Sequence, residues 1–282
     1  MTPEQHQSFP TGTDFLTLLQ TGSDEGSEKA DAFSHQSGER LPATMNRLGN
    51  VLSVLYRLAC CAWGCKGGDH QIEWLTGRIV NQAVGSHRLI RAGLYDEALM
   101  VIRGIGENTN LLWLFHADAS ALESWKASDH DTRRKKFQPG MVRNRLKTLS
   151  KIGPPIDDHR YRKLCEVGTH PVPGFAPGHF NGTGRPVLGI IPQPAGIYAS
   201  ATELGYAVGM AALPISKLLD MEADLRTALG NEALKLISDL GQFNVLNYES
   251  LLAQAHEKHK ARMQGAKGTT ANGQGMPSEN QS

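Results

Sequence analysis

Residues Gly93 to Asp118 constrain this chain more than any other stretch. From about Tyr95 the apolar positions keep a helical period, with Leu99, Ile102, Ile105 and Leu112 spread over adjoining faces. Steps of three and four residues return to one side of a helix, so Arg103, Glu107, Asn110 and Leu114 share a single stripe. A helix that is apolar nearly all round belongs in the middle of a helical fold. The segment predicts an all-α protein whose central helix carries an Arg and a Glu one turn apart.

The flanking sequence supplies neighbours for that helix. Upstream, Leu48, Val51, Leu52 and Leu55 repeat at helical spacing, which predicts a helix beginning near Leu41 and ending before Gly64. Gly67-Gly68 breaks the chain and Asp69 is an N-cap candidate. A second helix then carries Ile72, Leu75, Ile79 and Val80 to Gly93, where a glycine stops it. So short a turn folds consecutive helices into an antiparallel hairpin.

Downstream, the sequence predicts a short helix at Ala121–Lys126, another after Pro139, and a third capped by Asp157 or Asp158 and running through Val167. Thr169 to Ile197, dense in proline and glycine, reads as a long irregular loop with room for a short strand at Val187–Ile191. Ser200-Ala-Thr-Glu203 matches a capping box that opens a helix kinked or split at Pro214. Further helical pieces are expected at Ile215–Leu229, Glu232–Leu240 and Tyr248–Met263.

The fold expected is therefore all-α: a single helical domain over 39–263, built as a bundle of roughly seven to nine helices with one long Pro/Gly-rich loop. Residues 1–38, polar and acidic, and 264–282, rich in Gly, Gln, Ser and Thr, read as disordered tails. A net charge of +1 gives no global reason for a polyanionic partner, so any such case rests on local patches. No apolar run is long enough to span a membrane and the N-terminus lacks an apolar leader, so the expected location is cytoplasmic, with no membrane partner. Cys60, Cys61 and Cys65 cluster near His70 but lack the paired knuckles of a structural zinc site. Packing explains them, and neither metal nor cofactor is expected.

Chemistry, if present, centres on the Arg103, Glu107 and Asn110 strip. An interior charge pair needs partners, so it is either satisfied structure or a site. His170, at the mouth of the irregular loop, is suited to proton transfer near neutral pH. Arg133 to Lys151, including Arg143 and Lys147, contains no acid. Such a run serves phosphate contacts or a solvated face.

Two resemblances bear on this. Leu89-Ile90-Arg91-Ala92-Gly93-Leu94-Tyr95-Asp96-Glu97-Ala98-Leu99 resembles the turn between the helices of a tetratricopeptide repeat, in one copy only. More widely, Val101-Ile102-Arg103 with Glu107 and Leu111, followed by Tyr161-Arg162-Lys163-Leu164 and then His170-Pro171, is similar to uncharacterised bacterial helical proteins related to the HEPN group, over Leu41 to Leu219. That resemblance implies a helix bundle of a kind often found as metal-independent ribonucleases of defence and toxin systems. The candidate catalytic residues are Arg103, Glu107 and His170, and by the resemblance Arg162 or Arg103 would stabilise phosphate charge while His170 would move a proton. Asn110, Tyr161, Arg162, Arg143 and Lys147 would bind substrate. Seven residues separate Arg162 from His170, a wider gap than the Arg-to-His motif of that group. The leading expectation is an RNA-binding or RNA-cleaving protein of stress or phage defence. The alternative is a non-catalytic helical interaction module that uses the tetratricopeptide-like hairpin. A protein partner and a homodimer both stay open.

Overall fold

In a computed structural model, the structure describes residues 10–36, 40–63, 67–149, 153–169 and 192–241. Among these the chain is all-α: α1 (Gly12–Gln36), α2 (Arg40–Ala59), α3 (Gln71–Arg91), α4 (Tyr95–Ala117), α5 (Ala119–Ala127), α6 (His130–Lys136), α7 (Pro139–Leu149), α8 (Asp158–Gly168), α9 (Pro194–Leu218) and α10 (Ala223–Gly241), with one 3₁₀ turn at Cys61–Trp63. The expected strand at Val187–Ile191, the helix at Tyr248–Met263 and the tail at 264–282 lie outside the described residues.

Helix α4 is the centre of the bundle. It packs most extensively on α9, then on α3, α8 and α7, while α10 closes the other side of α9 and reaches α2. Leu99, Ile102, Ile105, Leu112, Leu114 and Phe115 on α4 are all at most 1% exposed. Each such side chain contributes about 1.5–3 kcal/mol on leaving water. The α3–α4 turn forms as its sequence demands. Gly93 adopts φ 78°, its amide donates to Ile90 O at 3.1 Å, and the Leu94 amide donates to Leu89 O at 2.9 Å. That pair of bonds is the Schellman stop, which needs a left-handed residue after the cap.

Three expectations change. The N-terminal 38 residues are not simply a tail, because residues 12–36 form α1. The leucines visible there in sequence, Leu16, Leu18 and Leu19, are exposed. The anchors are instead Ala30, which is buried, Phe33, edge-on to Tyr198 at 6.0 Å, and an Asp31–Arg91 ion pair. The Ser200 capping box is no cap either. Helix α9 starts six residues earlier, with Pro194 in its first turn, where a proline's missing N–H costs nothing, and Ser200 is a buried interior residue. Finally, the pieces expected after Pro214 resolve into the end of α9 and one continuous α10, tied to α2 by Arg47 Nε on Asp239 at 2.8 Å.

Pro214 does not split α9, for a reason that lies on α4. A proline inside a helix leaves the carbonyl four residues back without its amide donor, and here that carbonyl belongs to Met210. The indole Nε1–H of Trp113 donates to Met210 O at 2.8 Å. A side chain of the central helix thus supplies the bond that the proline removes, and locks α4 to α9 in doing so.

Trp113→Phe should therefore destabilise the protein by about 1–3 kcal/mol in urea unfolding, since the Met210 carbonyl loses the donor that stands in for the proline's missing amide. In a Pro214→Ala background, where residue 214 regains an amide, the same change should cost at least about 1 kcal/mol less. Additive costs across that double-mutant cycle would refute the assignment.

Candidate functional site

Helix α8 brings the expected residues together. Asp157 caps it by accepting from the Arg160 amide at 2.8 Å. Its far end rests so closely on α4 that a Cβ at Gly168 would lie 2.7 Å from the Met100 amide and 2.8 Å from Asp96 O. The glycine is the last residue of α8. It permits backbone-to-backbone approach, and that approach lays Tyr161 and Thr169 beside Arg103.

The resulting cluster is closed on itself. Arg103 Nη2 donates to Tyr161 OH at 2.9 Å and lies 2.9 Å from Glu107 Oε1. The phenol in turn donates to Glu107 Oε1 at 3.0 Å. Arg103 Nη1 donates to Thr169 Oγ1 at 3.3 Å. The Arg103 and Glu107 side chains keep 24% and 30% exposure, so a dissolved ligand can reach them.

The electrostatics follow from these contacts. Burial acts to lower the Arg103 pKa, but the Tyr161 hydrogen bond and the Glu107 charge outweigh it and raise it further. Burial, then the Glu107 carboxylate, pushes the Tyr161 phenol above its ordinary value. Tyr161 therefore stays protonated through the neutral range, serving as a relay between guanidinium and carboxylate.

Helix α7 adds cations. The Arg143 guanidinium lies 3.9 Å above the Tyr161 ring centroid, a cation–π contact that positions it. Its Nε donates to Asp158 Oδ1 at 2.7 Å, and Lys147 bonds the other Asp158 oxygen. Hydrogen bonds from Lys147 and Arg143 hold the Asp158 carboxyl below its ordinary range. Arg143 Nη1 is buried without a hydrogen-bond partner.

Of the residues picked out in the sequence, Arg103, Glu107, Tyr161, Arg143 and Lys147 form one continuous group. Arg162 is exposed on α8 and takes no part in the hydrogen bonds of that group. Asn110 is 3% exposed, deeper along the same stripe. Its amide is spent on backbone, with Nδ2 donating to Ile156 O at 2.8 Å and Oδ1 accepting from the Ile156 amide at 3.0 Å. It clamps the strand of chain entering α8 and has no face turned to a substrate. His170 lies outside the described residues.

Sequence reasoning missed Thr169 and Asp158, because nothing local marks a residue whose partner is on another helix. It also misread Glu203, which faces Arg160 at 3.4 Å instead of a helix start. Arg160 in turn covers the Tyr206 ring at 3.6 Å, and Tyr206 donates to Pro155 O at 3.1 Å. This second polar group ties α8 to α9.

Among the described residues no three His, Cys, Asp or Glu side chains are grouped to hold a metal. Cys60 is half-buried, Cys61 exposed and Cys165 buried, and Cys65 lies outside the described residues. No described helix is long and apolar enough to cross a membrane. Comparison with protein families, curated proteins and solved structures finds no match to the chain.

Asn110→Ala strips partners from two buried backbone groups and should cost roughly 2–4 kcal/mol, against about 1 kcal/mol for Tyr161→Phe. Equal costs in chemical denaturation would contradict the division between clamp and relay. The Asp158 pairing has a pH signature. Because its folded pKa lies below the ordinary 3.8, its stabilisation is present above that value and disappears as pH falls through the folded pKa. Asp158→Asn should therefore flatten the acid limb of a stability-against-pH curve, and an unchanged limb would show that the pairing contributes nothing.

Proposed function

We propose that the chain is a HEPN-like helical protein acting on RNA in stress or phage defence, with the Arg103–Glu107–Tyr161 cluster as its centre. The observation that carries this reading is the Arg103 to Thr169 hydrogen bond, since the next residue in sequence is His170. A guanidinium, and an imidazole one residue along the chain from its hydrogen-bond partner, are the groups that phosphodiester cleavage without metal calls on. The ribose 2′-oxygen attacks phosphorus and gives up its proton, the bond to the 5′-oxygen breaks, and that oxygen takes a proton. His170 serves the proton transfers and Arg103 with Arg143 stabilises charge on the phosphoryl oxygens.

Glu107 and Tyr161 keep Arg103 in place. Lys147 adds charge, while Arg134, Lys135 and Lys136, exposed on α6, offer phosphate contacts that carry no sequence preference. The interaction-module reading has less support, because α7, α8 and α9 cover α4 and take away the open groove that a tetratricopeptide hairpin presents.

The test compares wild type, His170→Ala and Arg103→Ala on total cellular RNA and on a fluorescent oligonucleotide. His170→Ala should lower cleavage by about 10²–10⁴-fold while leaving binding intact. Arg103→Ala should weaken both. Cleavage undiminished in His170→Ala would remove the histidine from the mechanism. No cleavage together with no salt-dependent binding would reject action on RNA altogether.

A further inference from the structure

The outer face of α3 joins positive charge to an exposed aromatic ring. Trp74, Arg78, Asn81, Gly85 and Arg88 follow one another in steps of four and three residues, so they form one stripe along the helix. Trp74 is 64% exposed, and Arg78, Asn81 and Arg88 are exposed as well. A Cβ at Gly85 would meet nothing within 4 Å, which leaves the middle of the stripe open down to the backbone. From Trp74 to Arg88 the stripe runs about 21 Å. The neighbouring helix extends this surface. Tyr56 of α2 is 53% exposed, and Arg57 next to it is exposed too. A Cβ at Gly77 would lie 3.6 Å from Ala59 Cβ, so this end of α2 runs beside the Trp74–Arg78 end of α3.

These arginines differ from the others on the same two helices in having no counter-charge. Arg47 is paired with Asp239 and Arg91 with Asp31. Among the described residues Arg57, Arg78 and Arg88 have no ion pair or side-chain hydrogen bond. Helix α2 contains no Asp or Glu, and α3 contains only Glu73, which lies 3.6 Å from His70 Nδ1. Unpaired cations with no acid among them make a local positive field that favours an anionic partner.

The indole narrows the class of anion. Arg78 and Asn81 separate Trp74 from the next exposed apolar residue of α3, Val84, so the stripe is no continuous apolar face for a membrane. A flat ring set among guanidinium groups is the combination that holds single strands, with bases stacking on the ring and phosphates meeting the arginines. In a duplex the base faces are already covered by stacking.

We propose that this face binds single-stranded nucleic acid, with bases stacked on Trp74 and Tyr56 and phosphates on Arg57, Arg78 and Arg88. No residue of the Arg103 cluster belongs to α2 or α3, and the contacts use no ribose 2′-hydroxyl, so the site stands apart from any cleavage.

A single-stranded oligothymidylate of about twelve nucleotides, which lacks the 2′-oxygen that cleavage needs, tests this by fluorescence titration of the full chain. It should bind and quench tryptophan emission. Trp74→Ala should weaken binding by about five- to hundredfold, the value of one stacked base, and remove most of the quenching, while Trp74→Phe should restore much of the affinity. Arg78→Gln and Arg88→Gln should each make the fall of log K with log salt shallower by roughly 0.7. Polyphosphate, which carries charge without bases, should bind Trp74→Ala as it binds wild type. The substituted side chains are exposed, so the variants keep the bundle folded. No oligonucleotide binding at low salt, or binding that Trp74→Ala leaves unchanged, would overturn the proposal. So would polyglutamate binding as tightly as the oligonucleotide, which marks an acidic protein partner. Either failure leaves the Arg103 chemistry untouched, since that is read by His170→Ala on RNA.

Discussion

A helix enclosed by others has nowhere to put a polar side chain except against another polar group, and α4 carries several. They are met by groups from the elements around it. Arg103 and Glu107 meet Tyr161 of α8, Asn108 reaches Gln82 of α3 at 3.2 Å, and Asn110 holds Ile156 ahead of α8. Thr109 Oγ1 lies between Ile105 O of its own helix at 2.9 Å and Ala207 O of α9 at 3.2 Å, and Trp113 donates to Met210 O, also on α9. Apolar burial alone tolerates many ways of packing helices together. A buried polar atom with a single suitable partner tolerates one, and this row of groups sets the rotation and register of α3, α8 and α9 around α4.

The Trp113–Met210 bond shows how two apparent defects cancel. Pro214 is poor inside a helix, and an indole N–H is poor inside an apolar core unless it has an acceptor. Each supplies what the other lacks. Met210 O needs a donor because residue 214 is proline, and Trp113 needs an acceptor because it faces α9. The split allowed by Pro214 considered alone ignores a residue about a hundred positions away in the chain.

That contrast separates what was legible in the sequence from what was not. Features whose cause lies within a few residues were readable: the stop at Gly93, the start of α4 at Tyr95, the helix after Pro139, the Asp157 cap, and the Arg103–Glu107 pair one turn apart. Features with a distant cause were not. Helix α1 looks like a tail because the residues that hold it, Ala30, Asp31 and Phe33, are unremarkable until Arg91 and Tyr198 stand opposite them. Ser200 and Glu203 have the spacing of a cap, yet Pro194 had already started the helix and Arg160 had claimed the carboxylate. Asn110 sat correctly on the Arg–Glu stripe, but only the position of Ile156 reveals that it is spent on backbone. Composition was no help with the basic run either. Arg145 reaches Asp118 at 2.8 Å, and Arg143 with Lys147 shares Asp158, so much of a stretch free of acids is neutralised from outside it.

The two arginines beside Tyr161 differ in how far their donors are already occupied. Arg103 is well supplied, with a carboxylate, a phenol and a threonine hydroxyl around it. Two of those three acceptors are neutral, and an anionic oxygen makes roughly twice as strong a bond to a guanidinium as a neutral one. An arriving anion would therefore displace Tyr161 and Thr169 before Glu107. Arg143 starts from the other side. Its Nε is taken by Asp158 and its face by the Tyr161 ring, which leaves Nη1 buried with nothing to bond. Tyr161 is common to both, touching one guanidinium through its hydroxyl and the other through its ring. Any movement of that side chain to free Arg103 also uncovers Arg143, so the two cations would become available together.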